Sequence, residues 1–285
     1  MADRLRCPNC GATLDLDGRV LRCARGHAFD VARQGYVALA PPRHRIAPGD
    51  SPDMVAAREA FLAGGHYRAI AEEIAAAIPS HLVPPAGGSR LAVDLGAGTG
   101  YYLAALLRTH PGWHGVALDA SRPALRRAAR AHRRIAPVAC DVWLQLPMQD
   151  ASADLALNVF APRNGPEIAR ILAPGGALVV VTPAPSHLRE LVDALGLLDV
   201  GADKQQRLHA ALAPRLESVR RRELELTMTL DRDELHALIA MGPSAHHLDA
   251  RLLAERIARV AHSRPVGASL VIETFQASRQ APVSA

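Results

Sequence analysis

The chain has 285 residues, 49% apolar and 21% charged, with 21 glycines and 21 prolines; this excludes disordered, collagen-like and small disulfide-stapled classes. Its formal charge of +5 arises from 33 basic and 28 acidic residues with Lys204 as the single lysine, an arginine bias that a GC-rich coding sequence produces by default, so charge alone argues only weakly for nucleic-acid binding. No run of 18 apolar residues and no apolar N-terminal stretch occurs, so neither a membrane span nor a secretory signal is expected, and a cytoplasmic location is.

In chain order, residues 1–40 are short apolar pieces broken by Cys, Gly and Asp, and 14–16 and 19–22 around Asp17-Gly18 read as a hairpin. Pro41, Pro42, Pro48 and Gly49 mark a linker, after which 52–77 reads as two helices with Ser51 as N-cap and Gly64-Gly65 as the break. A second linker, rich in Pro and Gly, covers 79–88. Short apolar runs then alternate with helical stretches: strands over 91–95, 115–118, 137–140, 155–159 and 177–182, helices over 101–109, 123–131, 166–172 and 186–195. Segments 224–230 and 268–275 add a late antiparallel pair, separated by helices near 232–239 and 250–260, and the tail from Ser278 is expected to fray. The resulting division is 1–40, 41–88 and 89–285.

Cys7-Pro-Asn-Cys10 is followed, twelve residues on, by Cys23-Ala-Arg-Gly-His27. Two such knuckles supply the four soft or borderline ligands of tetrahedral zinc, with Gly11 and Gly26 allowing the turns. Four protein ligands leave no place for a reactive water, so Cys7, Cys10, Cys23 and His27 are expected to hold a structural ion that replaces the core a 40-residue module cannot build. Cys140, alone at a strand end, reads as core.

Residues 91–100, LAVDLGAGTG, place a strand, an acid and a glycine loop just before a helix, and Asp119 ends the next apolar run where a carboxylate can accept ribose hydroxyls. Asp94 precedes the glycines, and the loop lacks the GxGxxG spacing of a dinucleotide site. The order DxGxGxG, Asp119, Asp141 resembles class I S-adenosylmethionine-dependent methyltransferases. That resemblance implies Asp94 at the methionine end, Gly96 and Gly98 closing the backbone on the cofactor, Asp119 on ribose, and Asp141 with Val142 beside adenine. Asn158 is taken with the same site. The fourth strand ends in Asn158-Val-Phe-Ala-Pro-Arg163, at the sheet edge where an acceptor would sit. Phe160 is read either as a stacking platform for a base or as part of the core.

The zinc knuckle, GHAFDVARQGYV at 26–37, GDSPDMVAAREAFLAGGHY at 49–67, the glycine loop, NVFAPRN at 158–164 and LAPGG at 172–176 together resemble the RlmA family of 23S rRNA guanine-N1 methyltransferases over almost the full length. Asp141-Val-Trp143, NVFAPRN and Met241-Gly-Pro-Ser244 look closer to the actinobacterial branch associated with tylosin-type macrolide resistance, although Ala245-His246-His247 stands where other members carry Trp-Arg. The resemblance implies an α/β fold with a seven-stranded, mostly parallel, Rossmann-like sheet and a small zinc-binding β module. It also implies S-adenosylmethionine and zinc as cofactors, a 23S rRNA hairpin loop of domain II as substrate, and a homodimer.

Neutral guanine N1 carries a proton that must leave on methylation, and Asp53, His66 and Asn158 are candidates to receive or orient it if 49–67 covers the cofactor cleft. Helix-cap or surface roles are the competing reading of Asp53 and His66. Arg22 and Arg25 in the zinc module are expected to bind the RNA backbone, while the arginines of 122–134 read more simply as a solvated helix face. The alternatives are a small-molecule methyltransferase and a non-catalytic RNA-binding assembly factor.

Overall fold

A computed structural model describes residues 1–196, 201, 203–213, 215–242, 255–258 and 264–277. The elements are β1 Leu14–Asp17, β2 Val20–Cys23, β3 Ala28–Asp30, β4 Val37–Ala38, α1 Pro52–Ala63, α2 Arg68–Ala76, β5 Arg90–Leu95, α3 Tyr101–Thr109, β6 Trp113–Asp119, α4 Arg122–Ala131, β7 Ile135–Ala139, β8 Ala153–Val159, α5 Gly165–Ile171, β9 Leu172–Pro183, α6 Arg189–Leu195, α7 Lys204–Leu212, β10 Leu216–Leu230, α8 Arg232–Ala240 and β11 Arg264–Ala277. Strands β1 to β3 form a small antiparallel sheet, and the rest form one sheet ordered β10-β11-β9-β8-β5-β6-β7-β4. From β9 to β4 all neighbours are parallel, and β11 runs antiparallel to both β9 and β10.

The expected Rossmann-like architecture is therefore present, but with eight strands in the main sheet among the described residues instead of seven. The extra one is β4, which follows the zinc hairpins and pairs Val37 with Val138. A two-residue strand is too short to leave a period in the sequence. Strand β10 also begins eight residues before the expected 224. Most of its side chains up to Glu223 are exposed, because pairing with β11 rests on backbone bonds that need no apolar alternation. Helix α7 was not expected: only Leu208 and Leu212 of it are buried, too sparse a stripe for a clear signal. The expected helix over 250–260 is described only at 255–258, which are helical. Ser244, Ala245, His246 and His247 and the tail from Ser278 lie outside the described residues.

Caps fix the helix starts. Ser51 Oγ accepts from Met54 N at 3.2 Å ahead of Pro52, Ser121 Oγ from Ala124 N at 3.3 Å, and Asp231 with Glu234 forms a capping box on α8. Two apolar layers then clothe the sheet. Ala92 of β5 packs with Phe61, Leu62, Tyr67, Ile70, Leu103 and Leu235 on one face. Leu91, Val93 and Leu95 pack on the other with Leu14 and Leu21 of the zinc module and with Ile168 and Leu208. Period-two alternation thus puts Asp94 on the same face as α1, α2 and α3. The zinc module is seated by Arg6 N to Pro147 O at 3.1 Å and Gln149 N to Arg4 O at 2.9 Å. Among the described residues no helix is long and apolar enough to cross a membrane.

Candidate active site and metal centre

The two knuckles close as tight turns: Gly11 N donates to Cys7 O at 2.8 Å and Gly26 N to Cys23 O at 2.9 Å, with φ of +74° and +83° at the two glycines. The four ligand atoms of Cys7, Cys10, Cys23 and His27 lie within 4.8 Å of one another. Cys10 Sγ is 3.7 Å from Cys23 Sγ, and His27 Nδ1 is 3.4 Å from Cys23 Sγ and 3.6 Å from Cys7 Sγ. Zinc bonds of about 2.3 Å to sulfur and about 2.0 Å to nitrogen give tetrahedral edges of about 3.8 and 3.5 Å, so the donor set fits the ion. It is closed and structural.

The glycine loop runs from Asp94 at the end of β5 to the start of α3. Gly96 N and Ala97 N donate to Leu118 O at 2.8 and 3.0 Å, which pins the loop to the end of β6. Gly96 has φ +72°, and a Cβ there would lie 2.5 Å from Ala161 Cβ, so only glycine lets the 158–163 loop approach. Asp119 accepts from Gly98 N and Ser121 N, both at 2.7 Å. Each oxygen keeps a second lone pair for a hydroxyl donor. Asp94 is 1% exposed and its Oδ2 has no hydrogen-bond partner among the described residues. Burial, reinforced by the nearby Asp119 charge, pushes its carboxyl up to about 8. Burial raises Asp119 as well, against the two backbone bonds that favour its charge. Asp141 accepts from Trp143 N at 3.0 Å and pairs with His44 of the linker at 3.3 Å, and Val142 is buried behind it.

Segment 49–67 places Arg58, Leu62 and Tyr67 against this loop, not Asp53 or His66. The cleft is lined by Arg58, Leu62, Tyr67, Asp94, Gly96, Ala97, Thr99, Tyr101, Tyr102, Val159, Phe160 and Met241. Ser121 Oγ donates to Asp50 O at 2.7 Å, so the cover is fastened beside Asp119. Asp53 instead sits exposed in the first turn of α1, where a carboxylate suits the helix dipole. His66 Nε2 is 2.8 Å from Glu234 Oε1 and its ring stacks on Phe61 at 5.2 Å; it joins α1 to α8. Asn158 is fully buried, donating to Pro162 O at 2.8 Å and accepting from Arg163 Nε at 3.0 Å. Neither Asp53, His66 nor Asn158 lines the cleft; Asn158 shapes the loop that carries Phe160.

Phe160 is at the mouth, 38% exposed, rather than in the core. Its φ of +55° is costly for a residue with a Cβ, and its ring is 6.1 Å from Tyr67 and 6.3 Å from His187. The His187 ring lies 3.1 Å by Nδ1 from Ser269 O, and burial lowers its pKa to about 4, so it is neutral with Nε2 free of any described partner. Arg163 and Lys204 meet at the same edge, half-buried and depressed chiefly by burial, with no acidic partner among the described residues. His187 and Lys204 carried no motif; only their position after β9 gives them away. Arg22 and Arg25 are exposed on the zinc hairpin, Arg22 within 3.5 Å of Asp17. In the 122–134 group, Arg134 donates to the main-chain oxygens of Leu107, His110, Pro111 and Trp113 and Arg127 pairs with Glu59 at 3.3 Å, which is structural use.

The residues fit S-adenosylmethionine: an orphaned buried carboxylate for its ammonium, glycines where a Cβ would block the loop, and Asp119 for ribose. Residues 5–46 match the RlmA N-terminal zinc-ribbon family and 92–176 the methyltransferase-domain family. A Haloferax volcanii putative methyltransferase, solved in a complex with the Trm112 methyltransferase activator, shares the fold at TM-score 0.52 and 20% identity over 82% of this chain and 100% of that one. A Micromonospora griseorubida protein described as a putative 23S rRNA (guanine-N(1)-)-methyltransferase is 47% identical over 95% of this chain and 97% of its own. The Streptomyces fradiae 23S rRNA (guanine(748)-N(1))-methyltransferase is 49% identical over 98% of this chain and 97% of its own. Full-length similarity at that level, with the zinc ligands and the cofactor loop in place, shows that the chain belongs to the S-adenosylmethionine-dependent 23S rRNA (guanine-N1)-methyltransferase family.

Proposed function

We propose that this chain methylates N1 of a guanine in a domain II hairpin loop of 23S rRNA, the counterpart of the guanine named for the Streptomyces fradiae relative. The observation that carries the reading is Phe160, held outward at a strained φ of +55° at the mouth of the cleft that Asp94 floors. A splayed purine stacks on such a ring, and an unpaired loop base costs least to extrude. S-adenosylmethionine supplies a methyl already activated by its sulfonium. The chain's part is alignment: Asp94, Gly96, Gly98, Asp119, Asp141 and Val142 bind the cofactor, and Phe160 with Tyr67 orients the base. His187 is the neutral imidazole beside Phe160, and we assign it to orient the base by accepting a hydrogen bond at Nε2, the N1 proton itself passing to solvent. Half-buried Arg163 and Lys204 at the same edge, with exposed Arg22 and Arg25 on the zinc hairpin, serve the RNA backbone.

The same reading extends to a cytoplasmic homodimer and to tylosin-type macrolide tolerance in a host whose ribosomes carry the mark. Sedimentation of the protein and drug-susceptibility assays of an expressing host test these two extensions. Primer extension on 23S rRNA incubated with protein and cofactor tests the main claim, because N1 methylation blocks reverse transcription. A single new stop at a domain II hairpin guanine is expected. No stop, with methyl transfer to a small molecule instead, overturns it.

A further inference from the structure

Four buried side-chain nitrogen or oxygen atoms have no partner among the described residues: Arg58 Nε, Asp94 Oδ2, Trp113 Nε1 and Gln205 Oε1. Two of them, Arg58 Nε and Asp94 Oδ2, line the same cleft. One is a donor on a cation and the other an acceptor on an acid, and burying either without a partner carries a desolvation cost that a bound group removes. Asp94 stands on β5 and Arg58 on α1, so the two orphaned atoms belong to different elements of the same cleft.

Arg58 is not free to leave. Its Nη2 donates to Asp50 Oδ2 at 2.6 Å and to Met241 O at 2.7 Å, which consumes both protons of that nitrogen and leaves Nε–H unused. It also lies against the glycine loop: a Cβ on Gly98 would come within 3.6 Å of Arg58 Cδ and 3.8 Å of its Nη1. A ligand end that carries both a carboxylate and an ammonium on one carbon matches these two atoms together. A neutral or singly charged end matches only one.

We propose that Arg58 receives the carboxylate of the cofactor's amino-acid end while Asp94 receives its ammonium, so that the zwitterion ties α1 to β5 and holds the cover on the sheet. This rests on the S-adenosylmethionine reading of the cleft. Neither partner works alone. Asp94 by itself would bind a cation without closing anything, and Arg58 by itself would hold α1 only through Asp50 and Met241.

The test is calorimetric, with three ligands: S-adenosylhomocysteine, its decarboxylated analogue, which keeps only the ammonium, and 5′-methylthioadenosine, which has neither group. Arg58→Met, which keeps the apolar stem, should weaken S-adenosylhomocysteine by about tenfold to a hundredfold, the usual effect of losing a charge-assisted bond. It should leave the other two within about twofold. Hydrogen exchange of α1 in the wild-type protein should slow with S-adenosylhomocysteine and not with methylthioadenosine. Equal weakening of all three ligands would mean that Arg58 merely props the cover, and unchanged affinity for S-adenosylhomocysteine would mean that it makes no contact; either result overturns the proposal. Wild-type protein that binds none of the three overturns the cofactor reading itself, a separate outcome.

Discussion

Titrating S-adenosylhomocysteine into the protein at pH 7, in two buffers of different ionisation enthalpy, should reveal a proton released on binding. In the empty cleft Asp94 has its carboxyl raised to about 8 by burial and by the Asp119 charge, so at pH 7 roughly nine molecules in ten carry the proton. An ammonium placed against Oδ2 reverses that balance by adding an opposite charge where none was. Close to one proton per ligand should therefore leave at pH 7, and the number should fall as the pH rises through 8, where Asp94 is already ionised in the empty cleft. Asp119 is raised too, so the released proton belongs to the coupled pair rather than to one residue. The same shift sets the stability of the cofactor-free protein. From its usual value of 3.8 up to about 8 the folded chain holds a proton that the unfolded chain has lost, so stability falls as pH rises across that window and levels off above it. The whole span corresponds to about 6 kcal/mol at most. Asp94→Asn removes the penalty: its thermal midpoint should exceed the wild type's increasingly from pH 5 to pH 8, while the proton release disappears and affinity drops. Heats that do not depend on the buffer at pH 7, together with a midpoint difference that does not depend on pH, would refute the reasoning.

Chelation at neutral pH, or Cys7→Ser, should release one zinc per chain and loosen residues 1–40, seen as faster hydrogen exchange there, while the glycine loop still binds S-adenosylhomocysteine; an intact module without metal would contradict a structural role. Phe160→Gly relieves a left-handed residue worth about 1 kcal/mol, so the thermal midpoint should hold or rise while RNA methylation falls tenfold or more; full activity would remove Phe160 from the acceptor site. His187→Ala should lower turnover at least tenfold with cofactor affinity unchanged, and the wild-type rate should show no imidazole titration between pH 6 and 8, since His187 is held near 4; unaltered turnover sinks its assignment. Arg22→Glu with Arg25→Glu should weaken RNA binding and flatten its salt dependence, and an unaltered slope excludes the zinc hairpin from the interface.

What the sequence disclosed follows the range over which each feature is encoded. The zinc ligands and the glycine loop are local: CxxC, CxxxH and DxGxGxG specify turns whose geometry depends on their own few residues, and their atoms converge as expected. The strands carrying Leu91, Val116 and Leu157 were legible because central parallel strands are apolar on both faces. The eighth strand was not, because Val37 and Ala38 become a strand only by meeting β7. His187 and Lys204 escaped notice for a similar reason: His187 reaches Phe160, and Lys204 reaches Arg163 and His187, only through the packing of β9, β11 and α7.

The covering segment shows where chemical type misleads. Asp53 and His66 were natural choices because carboxylates and imidazoles move protons, yet a helix selects by face before it selects by chemistry. Residues 53 and 58 are five apart, about 140° around α1, so a cleft that sees Arg58 does not see Asp53. Arg58 lies four residues from both Met54 and Leu62, which are buried at 7% and 6% exposure, and so it falls within the inward stripe. A charged residue in that stripe is only partly open to solvent, and its buried Nε must find a partner inside. Asp50, Met241 O and, by the inference above, the cofactor's carboxylate supply them. The phase of the charge against the apolar stripe, which was present in the sequence all along, is the signal that identifies Arg58.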